Sequence, residues 1–366
     1  MPTENRNRET LVTLIERQHL INDRYSKVKR FGENAGRGSF SIMFTAFDNV
    51  SRQKVALKFL NPSWAGDQYR VECFTREAKM LQIFKEQPNI LQIIDGKENL
   101  AINITTSEGS PLQLSFQFIA TELAQGSLRD CIYSSTTSAV QNLLFFREVC
   151  KAVQRIHANQ VCHRDLKPEN FLIFPQKKLK LSDFGTARLY NRNAEALLQR
   201  YMGPPGDITY TSPELLCGLY FEKRFAFCND FYSMGAILFE VFTKTYLNLT
   251  IFNNIYELWD IIRCFSAIPE RSRKEIYDDF IKGIARSRPL PDIFLYNQEV
   301  PHCIKHRLNI LYKSLANLDY RERLINFKTI FRQIDICRII LENEEKYKKW
   351  IELKRRFRKK RQKIMT

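Results

Sequence analysis

Two short acidic segments in the middle of the chain contain residue types that can bind a metal ion and accept a proton. The first is Cys162–Asn170, and Asp183 follows thirteen residues after Asn170. The apolar runs between them, within residues 171–181, predict a β-hairpin that brings Asn170 and Asp183 to the same end. Mg²⁺ prefers oxygen ligands and bridges nucleotide phosphates, so this carboxylate and this amide fit a magnesium site. The carboxylate of Asp165 is then left to receive a proton from a hydroxyl group.

Together with four other motifs, these segments resemble the signature of the eukaryotic-type (Hanks-type) serine/threonine protein kinase family. All the motifs follow the family's order between about Arg24 and Ile336, which makes a chance match negligible. Lys167 resembles the residue of the serine/threonine kinases rather than that of the tyrosine-specific pattern. In chain order the motifs are Val55–Lys58, Glu77, His163–Leu166 with Asn170, Asp183–Gly185, Ser212–Glu214 and Arg323.

The resemblance implies an α+β, bilobal protein kinase fold with a small β-rich N-lobe and a larger, mostly helical C-lobe. Apolar periodicity agrees, because strand-like runs prevail up to Leu123 and helical spacing prevails from Gly126 onward. We expect an N-terminal arm at residues 1–23, the kinase N-lobe at 24–123, the kinase C-lobe at 124–338 and a basic C-terminal tail at 339–366.

The same periodicity predicts individual elements. Short apolar runs predict strands at Val28–Phe31, Ile42–Phe47, Lys54–Leu60, Leu100–Thr105 and Leu112–Glu122, and a hairpin from Phe171–Phe174 and Leu179–Leu181. Helical spacing predicts helices at Phe74–Phe84, Asn142–His157 and Asp230–Phe242. A short amphipathic stretch within residues 1–22 predicts a helix or an arm.

The resemblance also implies an activity, the transfer of the γ-phosphoryl group of ATP to a serine or threonine hydroxyl of a protein substrate. Lys58 would hold the α- and β-phosphates, and Glu77 would hold Lys58. Asp165 would orient the acceptor hydroxyl and take its proton. Lys167 would neutralise the γ-phosphate, because the transition state spreads negative charge over the transferred group. Asp230 would anchor the catalytic loop from below.

The cofactors implied by the resemblance are ATP and Mg²⁺, with Asp183 on the bridging ion and Asn170 on the second ion. The expected contacts to adenine and ribose are Ala56 and Leu172 on the two sides of the ring, Thr121 at the inner pocket, the backbone of Glu122 and Ala124 at the ring edge, and Ser127 at the ribose.

The glycine loop is the part that departs most from the family. Residues 36–43 stand in the place of G-x-G-x-x-G-x-V, although Gly32 offers a second frame. Ser41 replaces the third glycine and narrows the backbone angles, so we expect weaker binding of ATP. Backbone amides still cradle phosphates there. The residues expected to do so are Gly36, Gly38, Ser39 and Phe40.

Asp207 is a second departure, because the family usually has threonine or serine at this place. A carboxylate there can pair with Lys167, but it would repel Asp165. We therefore expect this loop to sit differently or to tune activity. Ser41 and Asp207 favour an alternative function, a pseudokinase that serves as a binding or scaffolding module, whereas the intact catalytic motifs oppose it.

The positive charge of the chain lies mostly in its tail. The net charge is +17, and residues 346–366 contain eleven Lys or Arg and one acid, which leaves +7 for the rest. The tail predicts binding to a polyanion, either nucleic acid or anionic lipid. A solvated extension and a helix docked on the protein's own acidic surface are the alternatives. A third function would make the tail the main functional element and the kinase body its carrier.

Cysteine usage and hydropathy indicate where the protein resides. The nine cysteines are scattered, odd in number and without a C-x-x-C pair, which disfavours disulfides and zinc ribbons. His302 and His306 are four residues apart but lack further ligands, so we expect no metal site there. No apolar run approaches the length of a membrane span. We expect a cytoplasmic protein without a transmembrane segment, or a nuclear one if the chain is eukaryotic.

Overall fold

The chain folds into two compact units, each built from non-contiguous segments. The computed structural model describes residues 2–32, 41–105, 109–134, 137–190, 204–343, 346–347 and 349–350. The first unit contains Met1–Gly126 and Leu172–Ala187, and the second contains Ser127–Phe171 and the described residues from 188 onward. This division differs from the expected boundary at residue 124. Residues 172–187 belong to the first unit because Leu181 exchanges backbone hydrogen bonds with residues 89 and 91 of that unit.

The first unit is built on an antiparallel sheet. Its strands are β1 (Leu20–Ile21), β2 (Tyr25–Arg30), β3 (Ser41–Asp48), β4 (Gln53–Leu60), β5 (Glu98–Thr105) and β6 (Pro111–Glu122). They are ordered β1-β2-β3-β4-β6-β5, and every neighbouring pair is antiparallel. These strands overlap all five strands that the apolar runs predict.

Side-chain alternation gives the sheet two different faces. Along β4, Val55, Leu57 and Phe59 join one apolar core, while Lys58 points to the opposite face. Helix α1 (Pro2–Glu16) covers the apolar face. Its own contribution to that core is Leu11, Val12 and Ile15. The segment expected to be a helix or an arm is thus a helix that belongs to the first unit, because its apolar stripe is buried on the sheet.

A second helix lies after the sheet's central hairpin. A 3₁₀ turn at Pro62–Trp64 leads into α2 (Gln68–Ile83), whose first turn is capped by the side chain of Asp67. The predicted helix at 74–84 is confirmed and begins six residues earlier. The predicted hairpin is also confirmed, as β9 (Phe171–Phe174) and β10 (Lys178–Leu181).

The second unit is mainly helical. Its short strands β8 (Val161–Cys162) and β11 (Arg188–Leu189) pair with each other, and β7 (Gly126–Ser127) lies where the chain passes between the units. The helices are α3 (Leu128–Tyr133), α4 (Ala139–Ala158), α5 (Pro213–Leu216), α6 (Lys223–Thr243), α7 (Leu247–Ile251), α8 (Ile255–Ser266), α9 (Glu270–Ser287), α10 (Ile293–Tyr296), α11 (Lys305–Leu315) and α12 (Phe327–Glu342).

Helix α6 forms the centre of the second unit. It is buried on all sides from Cys228 to Thr243, as expected for a helix that is apolar around its whole circumference. Helices α4, α5, α10 and α11 pack against it. Both helices predicted for this unit, at 142–157 and 230–242, are confirmed as parts of α4 and α6.

Within the described ranges, no helix combines the length and the apolar character that crossing a bilayer requires. All nine cysteines are free thiols, and burial raises the pKa of Cys150, Cys162 and Cys217. His302 and His306 line a surface groove of about 750 Å³ beside α11. Across the residues that the structure describes, no group of three or more His, Cys, Asp or Glu is arranged to hold a metal ion.

Candidate active site

The first unit brings together the lysine, the glutamate and the aspartate of three separate motifs. The ammonium nitrogen of Lys58 lies 2.8 and 2.6 Å from the two carboxylate oxygens of Glu77 and 3.6 Å from Oδ1 of Asp183. Burial alone would lower the pKa of Lys58, but the neighbouring carboxylates of Asp183 and Glu77 raise it overall. Lys58 therefore carries a fixed positive charge, although only 18% of its side chain is exposed.

Helix α2 positions two sides of this cluster. Glu77 is buried on the face of α2 that meets Lys58. The preceding residue, Arg76, donates a hydrogen bond to the carbonyl oxygen of Gly185. Phe184 is fully buried and packs on Phe84 at the end of α2, with 5.7 Å between ring centroids. The same helix thus holds Lys58 and the loop that contains Asp183.

The residues expected around adenine lie on neighbouring strands of the first unit. Ala56 on β4 is the register partner of the buried Thr121 on β6. The backbone N–H of Glu122 donates a hydrogen bond to the carbonyl oxygen of Gln92. The carboxylate of Glu122 accepts two hydrogen bonds of 2.6 Å from the ammonium group of Lys180. These bonds fix the chain direction at Glu122.

Two further expected contacts lie beyond β6 in the first unit. Ala124 follows two residues after Glu122, and its neighbour Gln125 donates a hydrogen bond to the carbonyl oxygen of Ile173 on β9. Leu172 precedes Ile173 on that strand and is half-buried. Contact of Ala56, Thr121, Glu122, Ala124 and Leu172 with a nucleotide stays a prediction.

The second unit holds the carboxylate of Asp165 from two sides. Its Oδ1 accepts a hydrogen bond of 2.8 Å from the backbone N–H of Asp207. Its Oδ2 lies 3.2 Å from the ammonium nitrogen of Lys167 and 3.3 Å from the amide nitrogen of Asn170. Asn170 also donates a 2.7 Å hydrogen bond to the carbonyl oxygen of Asp165. The carboxylate is therefore oriented, while its residue remains partly exposed.

A buried carboxylate organises the loop that contains Asp165. Asp230 is fully buried on α6, and its oxygens accept 2.8 Å hydrogen bonds from the backbone N–H groups of His163 and Arg164. The ring nitrogen Nε2 of His157 lies 2.8 Å from the same carboxylate. The anchoring role implied by the resemblance thus has a direct geometric counterpart.

The loop after the undescribed residues 191–203 packs closely on the catalytic loop. Gly206 has a φ of +87°, and a Cβ atom there would overlap the carbonyl oxygen of Arg164. The next residue, Asp207, points its Oδ1 at Thr209, which donates from its N–H at 3.0 Å and from its hydroxyl at 2.7 Å. Its Oδ2 is 3.9 Å from Lys167. The backbone amide of Asp207 thus donates to Asp165, while its carboxylate accepts from Thr209.

Two of the motifs, Ser212–Glu214 and Arg323, are joined by an ion pair. Arg323 and Glu214 form a bidentate ion pair with distances of 2.5 and 3.2 Å, and both side chains are fully buried. Arg323 donates further to the carbonyl oxygens of Asn317 and Cys228. This pair fixes the end of the loop that begins at Gly206.

A network of side chains beside the catalytic loop was missed at the level of sequence. Arg129 on α3 contacts Glu169, at 2.7 Å, and also donates to Glu240 and Tyr210. Tyr210 donates in turn to Glu240 at 2.5 Å. No spacing pattern marks a single arginine as the centre of such a network, so only a general excess of buried charge could have indicated it.

Other expected contacts have a different or an undescribed setting. Ser127, expected at the ribose, donates its hydroxyl to Asp130 at 2.9 Å and caps α3. Ser41 is buried at the start of β3. Four expected contacts of the glycine loop lie outside the described residues: Gly36, Gly38, Ser39 and Phe40. Positions 351–366 of the tail lie outside them as well.

Each unit offers an oxygen donor of a kind that suits Mg²⁺. Asp183 offers a carboxylate that is 45% exposed, and Asn170 offers an amide oxygen. Hard oxygen donors of this kind suit Mg²⁺, which keeps water and phosphate oxygens as its other ligands. The positive φ of 60° at Asp183 places this residue in the left-handed region, a strained conformation often found at functional sites.

Comparisons with known proteins give a family model and several relatives that match this chain. The model of the protein kinase domain family matches residues 30–325. Mitogen-activated protein kinase 16 of Arabidopsis thaliana is 27% identical over 78% of this chain and 48% of its own length. Cyclin-dependent kinase 9 of Homo sapiens is 30% identical over 61% of this chain and 57% of its length. The serine/threonine-protein kinase TIO of Arabidopsis thaliana is 27% identical over 70% of this chain and 18% of its own length. The chain thus spans about half, or less, of the length of these relatives.

Proposed function

We propose that this chain, which belongs to the protein kinase family, is a serine/threonine protein kinase that depends on ATP and Mg²⁺. The observation that carries this proposal is the orientation of Asp165, both of whose carboxylate oxygens are held by neighbouring groups. A proton acceptor must be aligned before the reaction, because positioning supplies most of the rate in phosphoryl transfer. The name of one relative, the serine/threonine-protein kinase TIO, supports serine or threonine as acceptor.

The proposed role of the first unit is to hold the nucleotide. Lys58 binds the α- and β-phosphates, and Glu77 keeps Lys58 in place. Asp183 would hold one Mg²⁺ ion, and Asn170 of the second unit would hold another. When bound, Mg²⁺ neutralises charge on the phosphate oxygens. Ala56, Thr121, Glu122, Ala124 and Leu172 contact the adenine, Ser127 the ribose, and the loop with Gly36, Gly38, Ser39 and Phe40 the phosphates.

The proposed role of the second unit is the chemistry at the acceptor. Asp165 orients the hydroxyl of the protein substrate and accepts its proton as the hydroxyl oxygen attacks the γ-phosphorus, and ADP leaves. Lys167 lies beside Asp165 and neutralises charge on the transferred group. The backbone amide of Asp207 and the side chain of Asn170 keep the carboxylate aimed.

The pseudokinase alternative receives less support. Its two arguments were Ser41 and Asp207. The carboxylate of Asp207 turns toward Thr209, and its amide donates to Asp165, so this departure does not displace the proton acceptor. The ion pair of Lys58 and Glu77 is formed as well. We therefore prefer an active enzyme whose catalytic domain comprises an N-lobe at 24–123, joined by residues 172–187, and a C-lobe formed by the rest of 124–338.

A second proposed function concerns the tail at 339–366. Residues 346–366 carry a net charge of +10, which favours contact with the phosphates of a polyanion such as nucleic acid or anionic lipid. A cytoplasmic, reducing location is proposed for the protein, or a nuclear one in a eukaryotic cell, and the nine free thiols support it.

Phosphoryl transfer is tested with labelled ATP, Mg²⁺ and a generic basic protein. Asp183→Ala and Asp165→Ala should each lower the labelling rate by about 10²-fold or more, because one loses a metal ligand and the other loses the proton acceptor. Asp260→Ala is the matched control, since Asp260 is an exposed aspartate on α8 and should leave the rate unchanged. Equal labelling by all variants would contradict the proposal and point to a contaminating kinase.

The charge of Asp207 is tested by substitutions that keep its backbone amide. Asp207→Asn retains an acceptor for Thr209 but removes the negative charge near Lys167. Lys167 would then interact more strongly with the γ-phosphate, so we expect kcat to rise about two- to fivefold, as for a weak ion pair. Asp207→Thr should raise kcat too, with Asp260→Asn as control. Unchanged turnover and peptide preference in both variants would show that this charge does not tune activity.

Polyanion binding is tested by comparing the full chain with a variant that lacks residues 346–366. We expect the full chain to shift duplex DNA and RNA in a gel or to bind vesicles containing phosphatidylserine, and to lose affinity steeply as salt rises. The truncated chain should bind neither. A full-length variant with Arg355, Arg356, Arg358 and Lys359 changed to glutamine should bind weakly. Equal binding by all three proteins would exclude the tail as the binding site.

A further inference from the structure

We propose that helix α1 is a brace that fixes the position of α2 and thereby keeps Lys58 and Asp183 of the nucleotide-binding cluster in place. Its effect on turnover rests on the proposed kinase function, whereas its effect on α2 does not. Residues 2–16 precede the match to the family at residues 30–325, so the brace is a property of this chain rather than of the family domain.

Helix α1 is fixed to the sheet by apolar and polar contacts. Leu11 and Ile15 are 1% and 0% exposed and join the core on the sheet face opposite Lys58. At the edge of this core, Arg30 on β2 donates its backbone N–H to Glu16 at 3.1 Å, and its guanidinium lies 3.2 Å from Glu9. The helix is therefore held against the sheet along two of its faces.

The same helix packs against the 3₁₀ turn at Pro62–Trp64, which joins β4 to α2. This turn is ordered by Asn61, whose buried side chain accepts a 3.1 Å hydrogen bond from the N–H of Ser63. The guanidinium of Arg70, in the first turn of α2, lies over the ring of Trp64 at 3.1 Å from its centroid. A continuous set of contacts thus leads from α1 through the turn to α2.

Helix α2 carries this constraint to the reactive groups. Glu77 lies seven residues after Arg70, about two helical turns along the same helix, and it holds Lys58. Arg76 holds Gly185 in the loop that contains Asp183. Without the brace, we expect α2 to sample positions in which these two contacts are broken, because packing rather than intrinsic propensity stabilises most helices.

The experiment uses the full chain and measures hydrogen exchange of backbone amides together with kcat and KM for ATP. In the double variant Leu11→Ala/Ile15→Ala, the amides of α2 should exchange about tenfold faster or more, and by a larger factor than those of β4 and β6, which lose packing in the same core. The value of kcat/KM for ATP should fall about tenfold. Thr13→Ala removes an exposed side chain from the same helix and should behave as the wild type.

A second variant keeps the proposal testable if the double variant does not fold. This variant is Trp64→Leu, which changes a residue of the 3₁₀ turn and none of α1. It removes the stack on Arg70, so the amides of α2 should exchange faster while those of α1 exchange as in the wild type. Combined with Leu11→Ala/Ile15→Ala, it should add little, because both act on one set of contacts. Two results would contradict the proposal that α1 fixes α2. One is an unchanged exchange rate of the α2 amides in Trp64→Leu. The other is an equal rise in the exchange rates of α2 and of the whole sheet in the double variant. Absence of phosphoryl transfer in the wild type would instead overturn the proposed function.

Discussion

The ion pair between Lys58 and Glu77 is the interaction on which the first unit's site depends. Both side chains are largely buried, and a buried charge is costly unless a partner of opposite charge is fixed beside it. That requirement places demands on two elements at once. Strand alternation must turn the side chain of Lys58 away from the apolar core. Helix α2 must place the carboxylate of Glu77 within hydrogen-bond distance of the Lys58 ammonium group. The pair therefore reports whether the sheet and α2 are correctly assembled.

Buried carboxylates also fix the site of the second unit. There they hold loop segments in place, whereas Glu77 in the first unit holds a lysine side chain. Asp230 accepts the N–H groups of His163 and Arg164, and this fixes the chain just before Asp165. Glu214 binds Arg323 in full burial and fixes the end of the loop that contains Asp207. Because the catalytic loop and the loop that contains Asp207 are each anchored in this way, the backbone amide of Asp207 is placed to hold the carboxylate of Asp165.

Much of the fold and of the site follows from local sequence, because period-two and period-3.6 apolar patterns and the motif order are visible in the chain. The strands around Lys58, the helix with Glu77 and the hairpin between Asn170 and Asp183 were all predicted in this way. Contacts between elements distant in sequence were predicted only where the motif set marks the residue, as for Glu77 with Lys58 and for Asp230 with the catalytic loop. The brace by α1 and the network around Arg129 depend on three-dimensional packing that no spacing reveals. The orientation of Asp207 depends on competition between its backbone amide and its carboxylate, which residue type alone does not decide.

The most direct test of the account is the value of kcat/KM for ATP in Glu77→Gln. This variant keeps the shape of the side chain but leaves Lys58 without its buried counter-charge, so we expect a fall of at least about tenfold. Glu72→Gln, on the same helix, is the matched control and should leave the value unchanged. An unchanged kcat/KM in Glu77→Gln would contradict the claim that this ion pair positions the nucleotide.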